Sequence, residues 1–427
     1  MRLSRNCTPR HDVSFAYGDG AMFWDLDGRG YIDLSSQTMN LLFGQKHPHI
    51  HKAIFDALER CTFIDQDFIS PEYTRALEAL SPLLPTALRV CNLRMNDGSS
   101  AVECAVKQAR RRTGRSRVLT TRGIYLGQTT QTINLRGLGI RPYDLLNGST
   151  EDVVFAPIPY PEDGLPLSQA PNENGDALAD LIVSGRRELA CVILDPIMIS
   201  SGVTGGRDMG AFLRRAAEAC RAASVPLIFD ECQSFGWVPD MTLATHFGID
   251  VDLLVLGKAI GGGLPLAACA MKEEFDLLEF GEADFTNGGT IAAIAGLRAT
   301  CELLASPAED QHFQKLCDCL DQELAALESS LPRLIRTRGI GLIRAIEIRA
   351  GEQMDLNVAL AKRVSLELLH QGIYVRRHGA CLSLKPPRVT SQATLQQGLS
   401  GIHTALFDLN RQLQKESAAS LCQPTSS

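Results

Sequence analysis

Three polar clusters in this sequence directly follow short apolar runs, the place where a parallel sheet presents side chains to a ligand. Asp230-Glu231-Cys232-Gln233 follows Pro226-Leu227-Ile228-Phe229, Gly257-Lys258 follows Leu253 to Leu256, and Asp195-Pro196 follows Cys191 to Leu194. A lysine brought out of water at a strand end loses preference for its ammonium form and becomes a nucleophilic amine. Upstream, Asn96-Asp97-Gly98-Ser99-Ser100-Ala101-Val102-Glu103 reads as a helix start, with Ser100 and Glu103 at capping-box spacing. Gly98 and Ser99 then lie where backbone N–H groups and the helix dipole receive an anion. A carboxylate, an amine and an anion cradle together suit a phosphorylated ligand with a reactive carbonyl.

Two common uses of such residues are excluded by what surrounds them. A P-loop places its glycines before the lysine and Ser or Thr after it, whereas here Gly261-Gly262-Gly263 follows Lys258 and Ala259 comes next. Without a P-loop, Asp230 as a magnesium ligand of an ATPase loses its partner. Asp230 can instead keep a pyridinium nitrogen protonated, the task of an Asp in pyridoxal phosphate sites. No Cys or His pairs stand at zinc spacing, so no metal is expected.

The elements that must position these groups are legible as apolar runs alternating with amphipathic stretches from about residue 90. Continuous apolar strands, including Arg117 to Thr120, separated by helices such as Met209 to Ala223, imply a parallel sheet covered on both faces. The expected fold class is α/β, with a large domain over 51–312. A smaller α+β domain is expected over 313–415, from a helix near Phe313 to Ser329 onward. Residues 1–50, with a hairpin of Ala21 to Asp25 and Tyr31 to Leu34, are expected to pack on the small domain. Residues 416–427 read as a disordered tail.

Composition sets outer bounds. The 427 residues are 45% hydrophobic and 21% charged, and 42 Lys and Arg against 49 Asp and Glu give a net charge of −7 without a basic block. Nucleic acid is therefore excluded as the main partner, and a small-molecule substrate is expected. The 13 scattered cysteines, the charged start Met1 to Arg10 and the lack of a long apolar run point to a reduced, cytoplasmic protein without a membrane span.

Taken together, Asp230-Glu231-Cys232-Gln233, then Lys258 at 28 residues after Asp230, then Gly261-Gly262-Gly263, resemble the class III aminotransferases of the ornithine and 4-aminobutyrate type. These are pyridoxal-phosphate enzymes of fold type I. Gly18-Asp19-Gly20 to Tyr31-Ile32-Asp33, Gly44 to His47-Pro48, and Gly98 to Ala109-Arg110 extend the resemblance over roughly residues 15–405. It implies that Lys258 attaches the aldehyde of pyridoxal 5'-phosphate. Asp230 would face the ring nitrogen, Gln233 the ring hydroxyl, Cys232 the underside of the ring and Tyr125 its stacking face. Gly98, Ser99 and Ser100 would hold the phosphate together with Thr286 of a neighbouring subunit, so that a homodimer builds each site. The implied activity moves an amino group from an amine or amino-acid donor to an aldehyde or ketone acceptor. An aminomutase, racemase or decarboxylase on the same scaffold is the alternative, and a non-catalytic fold relative is a further one.

The sequence also departs from the family. Leu126 replaces a histidine, Ser100 an acidic residue, and Gly236-Trp237 and Thr290-Ile291 replace other motif pairs. Where relatives acting on α-amino acids place an arginine three residues before a Pro-Pro pair, this chain has Ser383, which cannot form a bidentate carboxylate clamp. An acceptor without a free α-carboxylate is the resulting expectation. Arg376, Arg377, His378 and Lys385 could supply charge from a different angle, but a solvated basic rim is the expectation.

Overall fold

The computed structural model describes residues 4, 7–137, 152–157, 175–202 and 209–421. At its centre is a seven-stranded sheet in the order β4-β10-β9-β8-β7-β5-β6. These strands are β4 (Val90–Met95), β5 (Arg117–Thr121), β6 (Val153–Ala156), β7 (Leu189–Leu194), β8 (Leu227–Asp230), β9 (Leu253–Leu256) and β10 (Ala267–Met271). The steps from β6 through β5, β7 and β8 to β9 are parallel, and β7 to β10 are buried along their whole length. Strands buried on both faces need no polar alternation, which explains their unbroken apolar runs.

The sheet is mixed rather than wholly parallel, because β10 runs antiparallel to both β9 and β4. Only the stretch from Gly257 to Leu266 joins β9 to β10, too little for a helical crossover, so the chain turns back beside β9. Lys258 opens that turn.

Helices cover the sheet. α1 (Pro48–Arg60) and α2 (Pro71–Leu80) pack on α6 (Ile291–Leu304), while α3 (Gly98–Thr113) lies across β7, β9 and β10. α4 (Asp176–Gly185) packs on α5 (Met209–Ala223), whose bounds match the sequence expectation. β1 (Phe15–Asp19), β2 (Met22–Asp25) and β3 (Gly30–Asp33) form an antiparallel ribbon that β13 (Ile373–Tyr374) joins in parallel. A third sheet, β11-β12-β15-β14, comprises β11 (Ile335–Ile340), β12 (Ile343–Ile348), β14 (Arg376–His378) and β15 (Cys381–Leu384). It is flanked by α7 (Pro307–Ser330), α8 (Met354–His370) and α9 (Gln392–Leu421).

The tail expectation is corrected in part: α9 runs through residue 421, past Glu416. Most of the proline-rich stretch at 140–175, which the sequence leaves open between a long loop and an irregular connection, lies outside the described residues. The described cysteines from Cys61 onward are free thiols. Among the described residues no single helix is long and apolar enough to cross a membrane.

Candidate active site

A cavity of about 630 Å³ opens beyond the carboxyl ends of β8 and β9. Gly98 and Ser99 from the start of α3, Tyr125 after β5, Asp195 after β7, Asp230, Cys232 and Gln233 after β8, and Lys258 after β9 all line it. Residues distant in sequence are thus brought to one wall.

Lys258 is half-buried and adopts φ +49, a left-handed conformation that a side-chain-bearing residue takes only when its surroundings impose it. The extended Gly257 precedes it, and a Cβ there would stand 2.9 Å from Cys232 Sγ. Gly98 meets the same sulfur at 2.9 Å. Cys232 is therefore the packing piece on which the helix start and the lysine turn converge. Burial pushes its thiol well above the usual range, so it is an inert apolar filler.

Asp230 is buried, and its Oδ1 accepts a hydrogen bond from the Cys232 N–H at 3.0 Å. Burial raises its pKa, opposed by that hydrogen bond and by the charge of Lys258. Neighbouring Asp195 is pushed up to about 7 by burial first and by the Asp230 charge second. Two carboxylates in so dry a place favour a cationic guest. The Gln233 side-chain amide donates to Ser200 Oγ at 3.2 Å. Behind the half-buried Tyr125 ring stands Arg136, its guanidinium 4.7 Å from the ring centre.

The helix start differs from expectation. Asp97, not Ser100, caps α3, accepting from the N–H groups of Ser99 at 2.8 Å and Ser100 at 3.2 Å. Ser100 sits inside the helix and donates to the Asp97 carbonyl, and Glu103 accepts from the Thr129 hydroxyl, so no capping box joins Ser100 to Glu103. Ser100 is buried behind the cavity wall. The Ser99 hydroxyl accepts from the Gln128 N–H at 3.1 Å and keeps its own proton to donate. Thr286 is exposed and stands away from the cavity of its own chain.

The expected basic rim is also corrected. Lys385 is fully buried, and His378 is half-buried with Nδ1 2.9 Å from Ser383 Oγ. Burial, with Arg376 and Arg377 adding to it, pushes His378 down to about 4, so its ring is neutral at ordinary pH. Sequence reasoning missed Asp97 as the cap, Ser200 behind Gln233, and Lys385. A serine or lysine carries no signal of such a place until the sheets are assembled.

An amine, a buried carboxylate, an aromatic face and a helix start with a free hydroxyl fit the aldehyde, ring nitrogen, ring and phosphate of pyridoxal phosphate. A site of this kind on a mostly parallel α/β sheet defines a fold type I pyridoxal-phosphate enzyme. Comparison with known proteins agrees. The profile of the family Aminotransferase class-III matches residues 4–406, and the chain belongs to that family. It is 27% identical to the diaminobutyrate–2-oxoglutarate aminotransferase of Rhizobium meliloti over 95% of this chain and 90% of that one. It is 29% identical to a [LysW]-aminoadipate semialdehyde/glutamate semialdehyde transaminase of Sulfolobus acidocaldarius, over 79% and 82% of the two chains. Among solved structures, the taurine:2-oxoglutarate aminotransferase of Bifidobacterium kashiwanohense, in complex with PLP and glutamate, superposes with a TM-score of 0.86 at 20% identity, covering 96% of each chain. The protein is a pyridoxal-phosphate-dependent transaminase, moving an amino group from an amine or amino-acid donor to a carbonyl acceptor.

Proposed function

We propose that Lys258 and Asp230 carry the transamination, with Gly98, Ser99, Tyr125, Cys232 and Gln233 seating the cofactor. The observation that carries this reading is their convergence on one cavity from separate elements. When bound, pyridoxal 5'-phosphate supplies an aldehyde that takes up amines and a ring that accepts an electron pair. Lys258 Nζ would hold the cofactor aldehyde and, as a free amine, would take a proton from the donor carbon as general base and deliver it to the cofactor carbon as general acid. Asp230 would hold the proton on the ring nitrogen by its charge, and its burial would keep water from weakening that pair. Tyr125 would cover one ring face while the Ser99 hydroxyl and the Gly98 N–H would take the phosphate. The same cycle, run in reverse with a carbonyl compound, delivers the amine.

The acceptor is an aldehyde or ketone whose reacting carbon bears no carboxylate. At the position where the family resemblance calls for an arginine, Ser383 is buried against neutral His378, and its carbonyl accepts from Ser35 Oγ at 3.1 Å. The semialdehyde substrates named for the relative of Sulfolobus acidocaldarius accord with this reading. The working unit is a cytoplasmic homodimer in which Thr286 reaches the phosphate site of the neighbouring subunit. Large apolar side chains left open to solvent, Ile69 at 95% and Phe280 at 73% exposure, support burial against a second copy.

Two experiments test the proposal. Hydride reduction of the loaded protein followed by peptide mass mapping is expected to place the cofactor on Lys258; an adduct on another lysine refutes the assignment. Ser383→Arg is expected to improve the kcat/KM ratio for α-keto acids over simple aldehydes by roughly tenfold, the worth of one charge-assisted carboxylate pair. An unchanged ratio contradicts the acceptor assignment.

A further inference from the structure

Lys385, immediately after β15, is wholly buried with no carboxylate at ion-pair distance among the described residues. Its Nζ donates to the main-chain carbonyl of Gln233 and lies 3.4 Å from that of Met39, with the Trp237 ring centre 3.5 Å away. Both carbonyls belong to segments that line the cavity, through Gln233 itself and through Asn40. A lysine is expensive to bury in this way, and an apolar residue would fill the space at lower cost.

The Met39 side of this bridge is strained. Ser36, Gln37 and Met39 have φ of +45, +57 and +61, and Gln37 pairs its value with ψ −111, a region natural to glycine. Such a segment persists only when its surroundings over-determine it, and Lys385 supplies several of those ties. Its N–H donates to the Leu34 carbonyl at 2.7 Å, its carbonyl accepts from Ser36 Oγ at 2.7 Å, and its Nζ reaches Met39. The Asp33 carboxylate holds the other end through the Gln37 N–H at 2.7 Å.

We propose that Lys385 is a positioning residue for transamination, a buried clamp that acts through the Gln233 and Met39 carbonyls to fix Gln233 and Asn40 at the cofactor cavity. The inference rests on the site reading above. The groups that face its amine are Lys258 at the end of β9, Asp195 at the end of β7 and Cys232 after β8. Burial first, and the Lys258 charge second, hold its pKa well below the usual lysine value.

The test compares Lys385→Met, Lys385→Gln and Gln233→Ala, alone and combined, in the full-length protein loaded with pyridoxal phosphate. The readouts are cofactor dissociation, the visible absorption band with its pH midpoint, and thermal unfolding of the cofactor-free form. Lys385→Met is expected to weaken cofactor retention roughly tenfold, the value of a lost hydrogen bond from a buried polar group. It should displace the band in the same direction as Gln233→Ala while leaving the unfolding temperature equal or higher. In the Gln233→Ala background the added effect should fall below about twofold, because coupled groups do not add. Lys385→Gln, whose amide can still donate to the Gln233 carbonyl, should recover part of the loss.

Additive effects, or a lowered unfolding temperature with an unaltered spectrum, would overturn the proposal and leave Lys385 as packing. A wild-type protein that takes no cofactor onto Lys258 would instead refute the site reading, so the two failures are distinguishable.

Discussion

Asp195 and Asp230 end the adjacent strands β7 and β8 and face the same cavity, which makes the dry end of the sheet a store of negative charge. Asp195 and Glu231 are each pushed up to about 7 and Asp33 to about 6, burial being the first cause in all three. A carboxyl with a higher pKa in the fold binds its proton more tightly there than in the unfolded chain. Stability is then greatest near or below the ordinary value of 3.8 for Asp195 and is lost as pH climbs towards about 7. The melting temperature of the cofactor-free protein should therefore fall across that window, and Asp195→Asn should flatten part of the fall. An identical slope in the variant would remove Asp195 from the account. If a bound cofactor places its ring cation beside Asp230 as proposed, it would offset this charge, and the loaded enzyme should show a weaker pH dependence than the empty one.

At the scale of elements, the start of α3 is where sequence and structure part most usefully. Serine with glutamate three residues on reads as a cap, yet the helix starts one turn earlier, where the Asp97 carboxylate accepts from the Ser99 and Ser100 N–H groups. Asp97 therefore competes with a phosphate for the Ser99 N–H. Asp97→Ser is expected to tighten pyridoxal phosphate binding by roughly threefold to tenfold, through removal of one like charge from the helix start. Equal or weaker binding would show that the carboxylate moves aside at no cost. Gly98→Ala should destabilise by about 1–3 kcal/mol, because its new Cβ meets Cys232 Sγ, and Cys232→Ala in the same chain should recover part of that loss. Strictly additive losses in the double variant would place the clash elsewhere.

Legibility along the chain followed burial. β9 and α5 carry clear apolar patterns, and their sequence bounds agree with the structure. β10, Ala-Ala-Cys-Ala-Met, is built of small residues that fit helix and strand equally, and its antiparallel sense comes from the short lysine turn before it. β11 alternates arginine, threonine and isoleucine, and only its pairing with β12 turns it into a strand. Lysine is read as a solvent residue by default, so Lys385 had no signature until β15, the Asp230 turn and the Ser36 to Asn40 segment met around it. Asp230, Gln233 and Lys258 were legible because strand ends are marked in sequence by the close of an apolar run.

For the whole molecule, the proposal to be tested is that a second copy completes the site. Thr286 is exposed, is not among the residues lining the cavity of its own chain, and follows Phe285, a large apolar side chain open to solvent. If two copies complete each other, mixing inactive Lys258→Ala with weakened Thr286→Ala protein and allowing subunits to exchange should recover activity above the sum of the parts. Ile69→Glu should shift the protein towards monomer in sedimentation and lower cofactor retention together; loss of one without the other would separate assembly from the site. The central claim, that Lys258 and its partners make a transamination site, is tested most directly by the visible absorption spectrum of the purified protein with pyridoxal phosphate. It should be recorded before and after a panel of amine donors is added without any acceptor. The account predicts a band from cofactor attached to Lys258 that a competent donor converts to the aminated cofactor. No band, or a band that every donor leaves unchanged, would contradict it.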